Sequence, residues 1–322
     1  MSTKNLAIVF IGRNEAERLE RCLESLKGID AELVYVDSGS TDNSVLNAKN
    51  ANAKIVELSP DRPFSAARAR NEGFEALENV PEFVQFIDGD CAMQPEWIEP
   101  AIKAMQQDPK LGIVTGWRSE IYRNKSVYNA LCDFEWRREA GEISVCGGDM
   151  LVRSAAFVKV GGFNETVIAS EDEEICLRIG KAGWKLRRLP IEMTRHDIAM
   201  TKFSEWWQRA VRSGHGFAQV GTMHPEHFKI ERKRAVVFAG ILPFLALLAV
   251  AFWPYGLIAI AAVYLRSYIR SSQGLAQAGL ASGEAWHHGL FLVLSKFPNL
   301  IGMGVFYWRR LRGHKMNIIE YK

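Results

Sequence analysis

The stretch "EFVQFIDGD", residues 82–90, decides how the rest of the chain is read. It reads as a short buried strand that ends at Asp88, with Asp90 one residue further on and Gly89 between them. Two carboxylates this close repel each other, so a cation is expected beside them. Oxygen ligands suit Mg²⁺ or Mn²⁺, and either ion bridges phosphate oxygens. Gly89 lets a substrate approach the backbone. An Asp-x-Asp pair alone is also common in exposed loops, so its surroundings must settle the matter.

Working outward, residues 1 to about 118 alternate strand and helix patterns. "LAIVFI", "ELVYV", "AKIVEL" and "LGIVTGW" are further strands. Between them, Leu19, Cys22, Leu23 and Leu26 recur at helical spacing, with Asn14 and Glu17 as a capping pair and Gly28 as a stop. "SAARARNEGFEAL" is a second helix with Ser65 as its cap. Strands separated by helices predict an α/β fold with a mostly parallel central sheet and flanking helices. Ligands of such sheets bind beyond the carboxyl ends of the strands, where both Asp37 and Asp88 fall. Further on, "SEDEEICLRIGKAG" begins in acid and reads as a helix ending at Gly183, and "WKLRRLP" reads as a short strand.

The chain has 322 residues, 48% of them hydrophobic, which allows two domains with a sizeable core. A net charge of +3 is no nucleic-acid footprint. The basic residues are concentrated, however. Lys229, Arg232, Lys233 and Arg234 precede an apolar tract, and Arg309, Arg310, Arg312 and Lys315 lie near the C-terminus. Basic clusters beside apolar segments point to a membrane surface. Five cysteines without CxxC spacing predict reduced thiols. The apolar run Leu6–Ile11 suits a first strand better than an export signal.

The tract Ala235–Leu265 holds 31 residues without a charge. That is longer than one span of about 20 residues requires. "FWPYG" (252–256) reads as an interfacial turn, so a hairpin over 235–272 is expected, with both ends cytosolic and Arg266 and Arg270 snorkelling. The apolar segment 289–308, interrupted by Lys296 and Pro298, reads as interfacial or re-entrant, with a third span as the alternative. These readings divide the chain into a catalytic domain, 1–228, with halves meeting at 118/119, and a membrane-associated region, 229–322.

Asp37, at the head of "VDSGSTD" (36–42), can read a nucleoside edge or cap the following helix. Arg68 and Arg70 can pair with phosphate or with an acid. The paired glycines of "CGGD" can admit an acceptor or simply make a turn.

Together, "FIGRNE", "VDSGSTD", "ARNEG", "DGD", "GGD" and "EDEE" follow the order found in family 2 glycosyltransferases, and residues 5–215 resemble that family. The resemblance implies a GT-A nucleotide-diphospho-sugar transferase fold and an inverting, metal-dependent transfer. Glu15, Asp37 and Arg70 would lie at the nucleotide. Asp88 and Asp90 would hold the metal–diphosphate unit, with His196 completing the metal site. Asp172 would be the base, with Glu171 beside it. Gly148 and Asp149 would meet the acceptor, and Arg209 and Arg212 would cover the donor. Ile11 stands where the family often has proline, and Ser213 breaks the Gln-x-x-Arg-Trp order of polysaccharide-extending relatives. The implied cofactor is Mn²⁺ or Mg²⁺. The implied partners are a nucleotide-diphosphate sugar, UDP-linked first, a glycan or lipid-linked acceptor, and membrane lipids. The implied place is a bacterial inner membrane with the catalytic domain cytosolic. Two other readings share these features: a polyprenyl-phosphate sugar synthase, against which the acidic "SEDEE" argues, and a membrane-tethered nucleotide-sugar sensor without turnover.

Overall fold

The computed structural model describes residues 5–319. One compact unit comprises Met1–Lys125 with Cys132–Ala199, and the other Ser126–Leu131 with Met200–Lys322. In the first unit, β1 (Leu6–Gly12), β2 (Glu32–Asp37), β3 (Lys54–Glu57) and β4 (Phe83–Asp88) are all parallel. They alternate with α1 (Ala16–Leu26), α2 (Ser44–Asn50) and α3 (Ala66–Glu75). β1 lies between β2 and β4, so successive strands leave it in opposite directions and their carboxyl ends open a crevice.

The sheet continues through β5 (Cys91–Met93), α4 (Ile98–Gln107) and β6 (Leu111–Glu120). After α5 (Val127–Trp136) come β7 (Gly141–Ile143), β8 (Met150–Arg153), α6 (Ser154–Lys159), α7 (Glu171–Lys181) and β9 (Lys185–His196). The strand order is β3-β2-β1-β4-β8-β6-β9-β5, with β7 also on β9. β8 runs antiparallel between β4 and β6, and β5 antiparallel beside β9.

Strand alternation sends Ile8, Phe10, Tyr35 and Ile87 to one face, under α1 and α4, where Leu19, Leu23 and Trp97 meet them. Val9, Val34, Val36 and Phe86 face the other way, against Ala67, Phe74, Phe157 and Ile175. Both faces are covered, which is why the parallel strands are continuous apolar runs in sequence. This mixed α/β architecture is the expected GT-A fold.

Several local expectations change. Asn14 does not cap α1. It sits at φ +56° and its side chain accepts from the Thr41 amide at 2.8 Å. The amides at the start of α1 are taken instead by Ser44 and Asp42 from the loop after β2. Ser65 does cap α3, accepting from the Arg68 amide at 3.1 Å. The strand begun by "WKLRRLP" does not stop at Pro190. A bulge opposite Thr115–Trp117 absorbs Leu189–Ile191, and β9 runs on to His196. The five cysteines are free and buried.

In the second unit α8 (Phe203–Met223) leads to a continuous helix over Lys229–Phe252. It consists of α9 (Lys229–Ala235), a π-helical stretch (Val236–Ile241) and α10 (Leu242–Phe252). After a turn at 253–255 come α11 (Gly256–Gln277), α12 (Ser282–Leu294) and α13 (Lys296–Leu311). α8 belongs to the second compact unit because it packs with the C-terminal helices. A Cβ on Gly302 would stand 1.9 Å from the Val211 carbonyl, and one on Gly214 2.0 Å from the Asn299 carbonyl. The α8 and α13 backbones are thus in direct contact.

Among the described residues two helices are long and apolar enough to cross a membrane, Lys229–Phe252 and Ser282–Leu311. The expected second arm of the hairpin, α11, is not one of them, because Arg266 and Arg270 and the polar run after them shorten its apolar part. The segment 289–308 lies within the second candidate, where Lys296 and Pro298 do not break the helical run.

Candidate active site

The carboxyl ends of β1, β2 and β4 carry Glu15, Asp37 and Asp88. Asp37 is buried. Its Oδ2 accepts from the amides of Gly39 and Ser40 at 2.9 and 2.7 Å, and the Tyr35 hydroxyl donates to its Oδ1 at 3.1 Å. Its carboxylate therefore shapes the loop that follows it, joining the expected nucleoside role to a structural one. The Glu15 side chain is half-buried and pairs with Arg18 at 2.6 Å.

Arg70 joins the two sides of the site. It projects from α3, is 2% exposed, and donates from Nη2 to Asp88 Oδ1 at 2.7 Å and from Nη1 to Glu171 Oε1 at 2.9 Å. Burial opposes its charge, but Asp88, Glu171 and Asp172 outweigh that and hold the guanidinium ionised. Phe163 lies under it at 5.4 Å. Gly148 is glycine because of this arginine: a Cβ there would stand 2.2 Å from Arg70 Nη2. That packing is reason enough for glycine at this position.

Asp149 is engaged within the protein. It is 1% exposed. One oxygen accepts from the Asp88 amide at 3.0 Å, and the other from Thr194 and Arg118, both at 2.7 Å. A carboxylate with these partners fixes Asp88. Arg68, the other arginine of α3, spends its guanidinium on Glu72 and the carbonyls of Ser59 and Arg62, so it is structural.

Asp88 is held below its ordinary carboxylate range. Burial works against ionisation, and Arg70 and Arg118 more than reverse it. Asp90 meets His196, with Nε2 3.2 Å from Oδ1, because β5 pairs antiparallel with β9 at Cys91 and His196. His196 is buried, and its pKa is raised: burial lowers it, but Asp90 and Glu120 dominate. Asp90, Cys91 and His196 bring three ligand atoms within 4.8 Å of one another. Burial first, then Asp149, keeps the Cys91 thiol protonated, so the donors that fit a hard divalent cation are the carboxylates and the imidazole.

Asp172 opens α7. Its N-cap, Ser170, is held at φ +60°, a conformation a non-glycine residue rarely adopts. The Asp172 carboxyl is raised to about 7, chiefly by burial, then by Glu171 and Glu173, with Arg70 pulling the other way. Its Oδ1 accepts from the Glu173 amide at 2.8 Å. Glu171 is tied to Arg70, and Glu174 is buried in a pair with Arg178, so Glu174 is not on a solvated face. The ionisation of Asp172 thus lies near neutrality.

Three contributors escaped the sequence reading. Arg118 sits between Asp88 and Asp149 at the end of β6. Thr194 braces Asp149. Trp136 packs edge-on to His196 at 4.7 Å and under Arg118. A charged residue at the end of an apolar strand, as in "TGWRSE", was the available signal for Arg118. Arg209 and Arg212 lie half-buried on α8, in the other unit.

The family model "Glycosyl transferase family 2" matches residues 7–159, and "N-terminal domain of galactosyltransferase" matches 125–202. Over residues 7–159 the chain is similar to glycosyl transferase family 2. The pre-mycofactocin glycosyltransferase of Mycobacterium tuberculosis is 28% identical over 244 residues, 70% of this chain and 49% of that protein. The poly-beta-1,6-N-acetyl-D-glucosamine synthase of Staphylococcus aureus is 26% identical over 222 residues, 63% and 52% respectively. The chain spans about half the length of these curated relatives. The mannosyltransferase of Pyrobaculum calidifontis, solved with GDP-Man and Mn²⁺, shares the fold with a TM-score of 0.56 at 17% identity, covering 95% of this chain and 88% of that one. In family terms, the Asp-x-Asp pair and the acid run of α7 stand on opposite sides of Arg70.

Proposed function

We propose that the protein is an inverting glycosyltransferase that moves a sugar from a nucleotide-diphosphate sugar to a hydroxyl of a glycan acceptor, lipid-linked in the first instance. The observation that carries this reading is Arg70, which ties the Asp-x-Asp site to the acid run and sets a low-pKa carboxylate, Asp88, opposite a high-pKa one, Asp172. Such a split separates a charge-holding role from a proton-accepting one. Asp172 takes the acceptor hydroxyl proton as that oxygen attacks. Asp88, Asp90 and His196 are the residues that would hold a divalent cation. When bound, it would stabilise the charge that develops on the leaving diphosphate. Arg118 and Asp149 keep Asp88 in place, and Arg70 keeps Asp88 ionised and pairs with Glu171.

Asp90→Ala is expected to abolish the Mn²⁺-dependent part of nucleotide-sugar binding and to leave any metal-independent part unchanged. Calorimetry with UDP- and GDP-sugars, with and without Mn²⁺, measures this. Equal binding by variant and wild type at saturating Mn²⁺ removes Asp90 from the site.

We also place the chain at a membrane, with the catalytic unit cytosolic. The support is Lys229–Phe252, whose apolar side chains are largely exposed and whose start is basic. The full chain is expected to stay with membranes in high salt, with Lys229 and Arg270 accessible to label from the same, cytosolic side. Labelling from opposite sides would eliminate the hairpin.

A further inference from the structure

α11 has two distinct faces. Tyr264, Tyr268 and Ser272 point into the unit: the Tyr264 hydroxyl donates to the Phe238 carbonyl, Tyr268 packs on Trp286, and Ser272 meets Gly289. The opposite face, Ala262, Leu265, Arg266, Ile269 and Arg270, lines an open groove of about 550 Å³. Both arginines are exposed, and among the described residues no ion pair engages either.

Their depth makes them unusual. The first turns of α11 expose Ile258, Val263 and Leu265. At ~1.5 Å per residue, Arg266 stands ~15 Å and Arg270 ~21 Å along the helix from Gly256, against a hydrocarbon core of ~30 Å. The Tyr264–Phe238 hydrogen bond sets α11 against the preceding helix, so on the membrane reading above Arg266 returns at core depth and Arg270 one turn nearer the cytosolic surface. Charge at that depth needs a counter-charge. Two guanidinium groups one helical turn apart carry two positive charges and ten N–H donors between them, which suits a phosphate monoester of charge about −1.5 to −2.

We propose that Arg266 and Arg270 hold the phosphate-monoester head of a membrane lipid, whose hydrocarbon lies along Ala262, Leu265 and Ile269. This rests on the membrane reading, and its test separates the two. The full chain is first floated with phosphatidylcholine vesicles. Failure to float overturns both readings. The protein is then placed in phosphatidylcholine nanodiscs containing phosphatidic acid as the probe, and lipid retained after detergent release is counted by native mass spectrometry. The wild type is expected to retain phosphatidic acid over phosphatidylcholine. R266Q/R270Q is expected to lose that preference by about tenfold or more, since a hydrogen bond to a charged group is worth at least that much. Its Mn²⁺-dependent donor binding should be unchanged, which checks folding. Excess inorganic phosphate should not displace the lipid. Equal retention by the double variant, displacement by inorganic phosphate, or flotation without any lipid preference each overturns the proposal.

Discussion

Asp172→Asn is expected to lower sugar transfer by about 10²- to 10⁴-fold while leaving donor affinity close to wild type. The amide keeps the shape of the carboxylate and cannot accept a proton. On the proposed function the donor is held by Asp37, Arg70 and the Asp88–Asp90 pair, none of which the substitution replaces. Because burial and its acidic neighbours raise Asp172 to about 7, its competent, deprotonated form accumulates only as pH rises through that value. Turnover should therefore climb with pH through about 7 and level off above it, and the variant should lose that limb. Glu173→Gln removes one of the like charges that raise Asp172, so the limb should move to lower pH with little change on the plateau. A pH–rate profile of both variants with a matched donor titration measures this. Wild-type turnover in Asp172→Asn would place the base elsewhere and bring the polyprenyl-phosphate reading forward, since a phosphate acceptor hardly needs one.

Arg70→Met should destabilise the catalytic unit by about 3–5 kcal/mol, the usual loss when one partner of a buried ion pair is removed. Solvent screening gives little relief here, because Arg70 is 2% exposed. The variant leaves Asp88 and Glu171 charged and facing a methionine. Thermal unfolding measures the loss, and saturating Mn²⁺ should restore part of it by neutralising Asp88. Gly148→Ala should approach the same phenotype from the other direction, since its methyl occupies the place of Nη2. An unchanged melting temperature in Arg70→Met would show that the bridge between donor site and acid run carries no energy.

β1 to β4 and their helices were legible because strands buried on both faces leave uninterrupted apolar runs, as in "LAIVFI" and "EFVQFID". β5, β7 and β8 were not, because three or four residues beside glycines carry no period to read. The short strand read in "WKLRRLP" continues past Pro190 because a bulge accommodates the proline, and that continuation of β9 is what delivers His196. At the site, Asp88, Asp90, Arg70 and His196 were visible as charged punctuation at strand and helix ends, and the structure brings them together. The packing role of Gly148 was not legible for a physical reason. A missing side chain leaves the same mark whether the vacated space admits a ligand or the protein's own arginine, as the Arg70 guanidinium does here. The partners of Asp149 were not legible because a sequence does not reveal which lone pairs a carboxylate spends on Thr194, Arg118 and a backbone amide.

β5 has a consequence for how the enzyme comes into being. Among the described residues this three-residue strand pairs with β9 alone, and β9 is more than ninety positions further along the chain. During synthesis both carboxylates of the Asp-x-Asp pair leave the ribosome early. The surface that seats Asp90 against an imidazole cannot form until residues 185–196 have followed. A nascent chain halted before that point carries the Asp-x-Asp pair without the imidazole that Asp90 meets.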